Sequence, residues 1–104
     1  MAWLILLAAA VLEITWALAL KESDGFTRAV PSVVGVVTAV GSVALLMLAL
    51  RDLPVGTAYA VWTGLGAIGV ALAGIVLLGE SASPARLACL ALVFGGVAGL
   101  RLLE

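Results

Sequence analysis

The chain alternates between long apolar stretches and short polar ones, and this pattern predicts an all-α membrane protein. Four apolar stretches predict helices at about residues 2–20, 31–50, 55–78 and 85–103. Each stretch approaches the roughly 20 residues that an α-helix needs to cross a bilayer. Connections as short as those between them join antiparallel neighbours. We therefore expect residues 1–104 to form a single domain with four transmembrane helices per protomer.

Residues with special backbone preferences mark the ends of these helices. Gly25 and Gly79 suit the left-handed position that follows many helices. Ser83 and Pro84 form an N-cap followed by a proline at the first helical position. The polar segments between the helices are too short to hold a soluble domain.

Composition excludes several classes of function. Apolar residues make up 65% of the chain and charged residues 11%, whereas a soluble domain carries about 25% charged residues. The formal net charge is −1, and the absence of a basic stripe argues against a nucleic-acid partner. The chain has no His and a single Cys, Cys89, which removes the usual metal-ligand sets. We expect an integral membrane protein with no metal, no cofactor and no catalytic residue.

Glu13 is the one carboxylate within the four apolar stretches. At a rise of about 1.5 Å per residue it lies about 17 Å into a hydrocarbon core roughly 30 Å thick. An ionised side chain at that depth costs roughly 2.5 kcal/mol on the mildest scales. A lone intramembrane carboxylate is a functional site by default, and a neutral structural residue is the alternative.

The chemistry of such a carboxylate favours exchange. Burial in a medium of low dielectric constant favours the protonated acid, whereas a bound cation favours the ionised form. A proton and a cation would therefore compete for Glu13. This competition is the minimum that coupled exchange of the two requires.

Other residues near the same depth are expected to line the site. Trp16 lies one helical turn after Glu13 on the same face, and small residues such as Ala10 leave space one turn before it. Ser42 lies about 15 Å into the second helix, although its hydroxyl could instead bond to the carbonyl four residues earlier. Tyr59 could belong to an interfacial aromatic belt. The predicted lining residues are Ala10, Trp16, Ser42, Tyr59, Trp62 and Thr63.

Glycines in the last two helices have two interpretations each. Gly64 and Gly66 in the third helix fit either a bend that changes between two open states or close helix packing. Gly95 and Gly99 in the fourth helix form a G-x-x-x-G step, which lets two helix backbones approach closely. We expect the second pair to contact another copy of the chain, with packing inside one protomer as the alternative.

The positive charges barely favour one orientation in the membrane. Lys and Arg in short loops set the orientation of membrane proteins. Arg51 and Arg101 fall on the side that holds both termini, and Lys21, Arg28 and Arg86 fall on the other. So small a bias is either a weak signal that the cell resolves or a sign that copies insert in both directions. In the second case opposed copies could form an antiparallel dimer.

These residues resemble the small multidrug resistance family of four-helix exporters over essentially the whole chain. The resemblance includes the carboxylate of the first helix, the segment from Lys21 to Pro31 and the segment from Leu53 to Gly64. Glu13-Ile14-Thr15-Trp16, Trp62-Thr63-Gly64 and Gly79-Glu80-Ser81 resemble the guanidinium exporter subtype. The broad quaternary-ammonium exporters usually have a glycine at the position of Trp16.

The resemblance implies a dual-topology antiparallel homodimer in the inner membrane that exports guanidinium ion in exchange for protons by alternating access. Glu13 of both copies would bind substrate and protons. Hydrogen bonds from Trp16, Ser42 and Trp62 would hold the carboxylates, Tyr59 would help gate the site, and Gly64 and Gly66 would mark the bend.

Two residues depart from the family pattern. Ala10 replaces a common glycine, and Val43 replaces a bulkier residue, which could admit small substituted guanidiniums. A broad quaternary-ammonium exporter, a proton-carrying rotor subunit and a structural membrane protein without transport activity are the alternative functions.

Overall fold

The computed structural model describes residues 1–103, and these residues form four α-helices and no β-strand. The helices are α1 (Ala2–Glu22), α2 (Ala29–Ala49), α3 (Val55–Leu78) and α4 (Pro84–Leu103). Each of them is long and apolar enough to cross a membrane. The predicted all-α class with four transmembrane helices is confirmed.

Three helices have ends that differ from the prediction by one or two residues. α1 continues through Lys21 to Glu22, where a cation in the last turn interacts favourably with the helix dipole. α2 begins at Ala29, two residues before the predicted start at Pro31, and ends at Ala49. Proline is tolerated there because the N–H groups of a first helical turn have no partner within the helix.

α4 begins at Pro84, one residue earlier than predicted. The hydroxyl of Ser83 accepts a hydrogen bond from the backbone N–H of Arg86 at 3.2 Å. This is the bond of a serine N-cap, and it places Pro84 at the first helical position. Gly79 ends α3 with φ +69°, the left-handed conformation that the sequence predicted.

The connection between α1 and α2 is a compact turn around a buried serine. The hydroxyl of Ser23 donates to the carbonyl of Leu20 at 2.6 Å and accepts from the backbone N–H of Phe26 at 3.1 Å. Asp24, Gly25 and Phe26 all have positive φ angles. Gly25 adopts the predicted left-handed conformation, but within the turn rather than directly after the helix.

Helix packing is uneven. α1 packs closely against α2 and α3, and the backbone of α4 comes close only to that of α3. A buried cluster from the first three helices contains Leu6, Leu46, Ala49, Ala58 and Val61. No residue of α4 between Pro84 and Leu103 is buried. α4 therefore leaves most of its surface for lipid or for another protein chain.

A close approach between α1 and α2 depends on Gly35. A Cβ atom at this position would lie 2.6 Å from Cδ2 and 2.9 Å from Cγ of Leu20. We predict that Gly35→Leu lowers the free energy of unfolding by about 2 kcal/mol, because overpacking forces the two helices apart. Thermal unfolding in detergent is the measurement.

Val36→Leu is the matched control, since Val36 is the next residue and lies 49% exposed. This variant should unfold like the parent protein. Equal unfolding temperatures for the Gly35 and Val36 variants would contradict the packing described here.

A candidate cation site around Glu13

Glu13 is buried within the protomer although it carries a carboxyl group. Only 9% of the residue is exposed, and it lies on the face of α1 that packs against α3. A Cβ atom at Gly66 would overlap its Oε1 atom. The space beside the carboxyl group therefore exists because position 66 has no side chain. Ala10, one turn earlier, is 3% exposed and adds a second small wall.

Ser42 joins three helices in the same layer. Its hydroxyl donates to the carbonyl of Ala9 at 2.6 Å and accepts from the indole N–H of Trp62 at 3.0 Å. Ser42 is fully buried. The alternative in which Ser42 bonds to its own helix is wrong, because the hydroxyl crosses from α2 to α1.

These bonds differ from the hydrogen bonds to Glu13 that the family resemblance implies for Ser42 and Trp62. A serine hydroxyl has one proton and an indole has one N–H group. In the protomer the first is donated to Ala9 and the second to Ser42. Within the protomer neither donor is left for the carboxyl group, and the two side chains instead link α3 to α2 and α2 to α1.

Trp16 has a donor that is not used. Its indole nitrogen is buried and has no hydrogen-bond partner within residues 1–103. Leaving a buried donor unpaired costs about 1–3 kcal/mol. Trp16 lies one turn after Glu13 on the same face of α1, so this unpaired donor belongs to the same part of the helix as the carboxyl group.

Tyr59 and Thr63 of α3 lie near Trp62 in the sequence but are exposed on the surface of the protomer. Tyr59 is 51% exposed, and its ring lies 5.6 Å from the ring of Trp62 with the planes tilted by 58°. Thr63 is exposed as well. The two rings thus extend from the buried hydrogen bond between Trp62 and Ser42 to the exposed side chain of Tyr59.

Gly64 and Gly66 lie within an uninterrupted helix and both face close neighbours. A Cβ atom at Gly64 would lie 2.6 Å from Cγ2 of Val97, and Gly66 faces Glu13. Close packing accounts for both residues in this arrangement, and the bend of α3 stays a prediction. The contact with Glu13 was missed from the sequence, although Glu13 and Gly66 both lie about 17 Å from the same membrane side.

The glycine step of α4 is open. No atom lies within 4 Å of a Cβ atom built at Gly95 or Gly99. Gly95 and Gly99 therefore do not pack against another helix of the same protomer. Contact between copies stays a prediction.

Comparison with known proteins identifies relatives that match nearly the whole chain. The family described as Small Multidrug Resistance protein matches residues 1–93. A guanidinium exporter of Escherichia coli (strain K12) is 58% identical over 102 residues, which cover 98% of this chain and 97% of the relative. Guanidinium exporters of Citrobacter freundii and Salmonella typhimurium are 56% identical over the same shares of both chains.

The hydrogen bond from Trp62 to Ser42 predicts a coupling that can be measured. Ser42→Ala and Trp62→Phe should each lower the free energy of unfolding. The loss of unfolding free energy in the double variant should be about 1 kcal/mol smaller than the sum of the losses in the two single variants. A difference of this size is typical of one hydrogen bond between membrane helices. Chemical unfolding in mixed micelles is the measurement.

Thr38→Val is the control, because the Thr38 hydroxyl bonds within α2 to the carbonyl of Val34 at 2.7 Å. Its effect should add to that of Trp62→Phe. Additive effects for the Ser42 pair as well would count against the bridge.

Proposed function

The chain belongs to the small multidrug resistance protein family, and from this premise we propose that it exports guanidinium ion in exchange for protons. It is a transporter rather than an enzyme, and a multi-pass protein of the inner membrane. Small substituted guanidiniums are proposed as further substrates. The observation that carries the proposal is a buried carboxyl group at mid-membrane depth, one helical turn before an indole donor that has no hydrogen-bond partner within residues 1–103.

Guanidinium fits the chemistry of this site. It is planar and donates parallel N–H···O bonds to both oxygens of a carboxylate. The carboxyl group of Glu13 packs against Gly66, which limits its rotation and favours one orientation of such a fork. The rings of Trp62 and Tyr59 add faces that attract a cation. The bridge through Ser42 keeps the ring of Trp62 in place.

Exchange follows if Glu13 holds one partner at a time. The protonated acid is the form that the membrane interior favours, and arrival of the cation displaces the proton. The protein would then change its open side only with a proton or a cation bound, since a bare carboxylate at this depth is costly. Each crossing of a cation is thereby tied to the opposite crossing of protons.

The bulk of Trp16 supports guanidinium over large quaternary ammoniums. Its indole stands one turn from Glu13 and is half-buried, so it fills space that wide alkyl groups would need. A quaternary ammonium also has no N–H group with which to form the fork. Binding of such cations would leave the carboxylate without hydrogen bonds, and a polar site discriminates strongly against a ligand that leaves it unpaired.

We propose that the working unit is an antiparallel homodimer. Glu13 lies near the middle of a bilayer, so an inverted copy places its own Glu13 in the same layer. α4 has no buried residue up to Leu103, and its glycine step is open. The near balance of positive charges between the two sides permits insertion in both orientations.

Transport should depend on the carboxyl group of Glu13. We predict that Glu13→Gln reduces proton-driven guanidinium uptake into vesicles to the level of vesicles without protein, because the amide cannot exchange a proton. The variant should still fold, since the neutral amide suits the buried position. Uptake is measured with a proton gradient, with guanidinium and a bulky quaternary ammonium in parallel.

Glu22→Gln is the matched control, because Glu22 is an exposed carboxylate of the same helix. It should transport guanidinium like the parent protein. Proton-driven uptake that persists in the Glu13 variant, or equal uptake of the bulky ammonium by the parent protein, would overturn the proposed function.

The orientation of copies can be tested at the glycine face of α4. If opposed helices cross at Gly95–Gly99, Leu92 of one copy lies beside Leu102 of the other, whereas the two Leu92 residues lie about 15 Å apart. Leu92 and Leu102 are 76% and 86% exposed. We predict that Leu92→Cys cross-links to co-expressed Leu102→Cys, and only weakly to itself, when a short thiol reagent is added to membranes.

Both variants carry Cys89→Ser to remove the native exposed thiol. Cross-links of Leu92→Cys to itself and of Leu102→Cys to itself, without the mixed product, would show parallel pairs and refute the antiparallel dimer.

A further inference from the structure

A groove on the outside of the protomer has no role in the site around Glu13. It has a volume of about 250 Å³ and lies between α1 and α4, with α3 as its floor. Its apolar lining includes Leu7 of α1, Leu65 of α3 and Phe94 of α4. Leu7 and Phe94 are 47% and 58% exposed, so the groove is open on the surface of the protomer.

One end of this groove carries a positive charge. The guanidinium carbon of Arg101 lies 4.7 Å from the centre of the Trp3 ring, and both residues line the groove. Arg101 belongs to the last turn of α4 and Trp3 to the first turn of α1, so the charge lies at the membrane surface. Trp side chains are common at that level, where the hydrocarbon meets the head groups.

Arg101 has no acidic partner in the described part of the chain. The ion pairs found there are Arg28 with Glu22 and Arg86 with Glu80. The guanidinium group lies over the ring of Trp3, and within residues 1–103 no acceptor bonds to its N–H groups. The N–H edge of such a group binds a phosphate oxygen pair in the bidentate geometry that arginine favours.

The groove is separate from the surfaces that the proposed function uses. On α4, Phe94, Ala98 and Arg101 share one side, roughly 110° around the helix axis from Gly95 and Gly99. On α1, Trp3 lies about 15 Å along the axis from Glu13. A second copy bound through the glycine step would therefore leave the groove open.

We propose that this groove binds one phospholipid with an anionic head group. One acyl chain lies along the apolar floor, and the phosphate of the head group binds the guanidinium of Arg101. Basic pockets between transmembrane helices bind anionic lipids in this manner. A zwitterionic lipid has the same chains but adds a cation next to Arg101, so the charge at the end of the groove selects the anionic lipid.

Native mass spectrometry of the full-length protein tests this proposal. The protein is released from micelles that contain equal amounts of phosphatidylglycerol and phosphatidylcholine with identical chains. We expect the parent protein to retain phosphatidylglycerol about five-fold more than phosphatidylcholine, as one arginine at the membrane surface implies. Arg101→Gln should make the two retentions equal.

Arg51→Gln is the matched control, because Arg51 faces the same side of the membrane but does not line the groove. It should keep the preference of the parent protein. Ala98→Phe fills the groove from the exposed side of α4 and should lower retention of both lipids, whereas Arg101 stays in place.

Three results would overturn the proposal. The parent protein could retain both lipids equally, or Arg101→Gln and Arg51→Gln could behave alike. As a third result, Ala98→Phe could leave lipid retention unchanged and abolish cross-linking between copies. That result would assign the groove to a second chain. None of these results bears on whether Glu13 exchanges guanidinium for protons, so the two proposals fail independently.

Discussion

A carboxyl group held away from water within the membrane is the constraint on which the rest of the structure depends. Glu13 is buried by contacts that α1 makes with α3, and the space it occupies requires a residue without a side chain at position 66. The hydrogen bonds around it are used to fix the wall rather than to stabilise an ionised form. The indole of Trp62 donates a hydrogen bond to Ser42, whereas the indole N–H of Trp16 has no acceptor within residues 1–103. We propose that a cation, a proton or a second protomer completes this site.

The uneven packing of the helices likewise leaves surfaces of the protomer without a partner. α1, α2 and α3 share a buried cluster, whereas the backbone of α4 packs only against that of α3. Within a bilayer apolar surface has no water to avoid, so close contacts between small residues decide how helices associate. α4 presents its open glycines on one side and a charged, apolar groove on another. We propose a second copy of the chain as the partner of the first surface and an anionic lipid as the partner of the second.

The sequence predicts the architecture well because the number and the ends of the helices follow from the lengths of the apolar stretches and from the residue types at their ends. Four apolar stretches, separated by short polar segments around Gly25, at residues 51–54 and around Gly79 to Pro84, are enough to place four spans. Glu13 is evident because no other carboxylate lies in the stretches. What the sequence does not specify is which polar groups meet. Ser42 could bond within its own helix or across to α1, and only the packing of α1 against α2 decides. The role of Gly66 likewise depends on the rotation of α3, which apolar residues on every side leave undetermined.

The central claim is that one carboxyl group binds either a proton or guanidinium. Its most direct test is to titrate guanidinium into the purified protein in weakly buffered detergent solution and to follow the pH with an indicator dye. The account predicts saturable release of protons in parallel with binding, and no release by a protein with Gln at position 13. Guanidinium binding by the parent protein without release of protons, across the pH range in which the carboxyl group starts protonated, would contradict it.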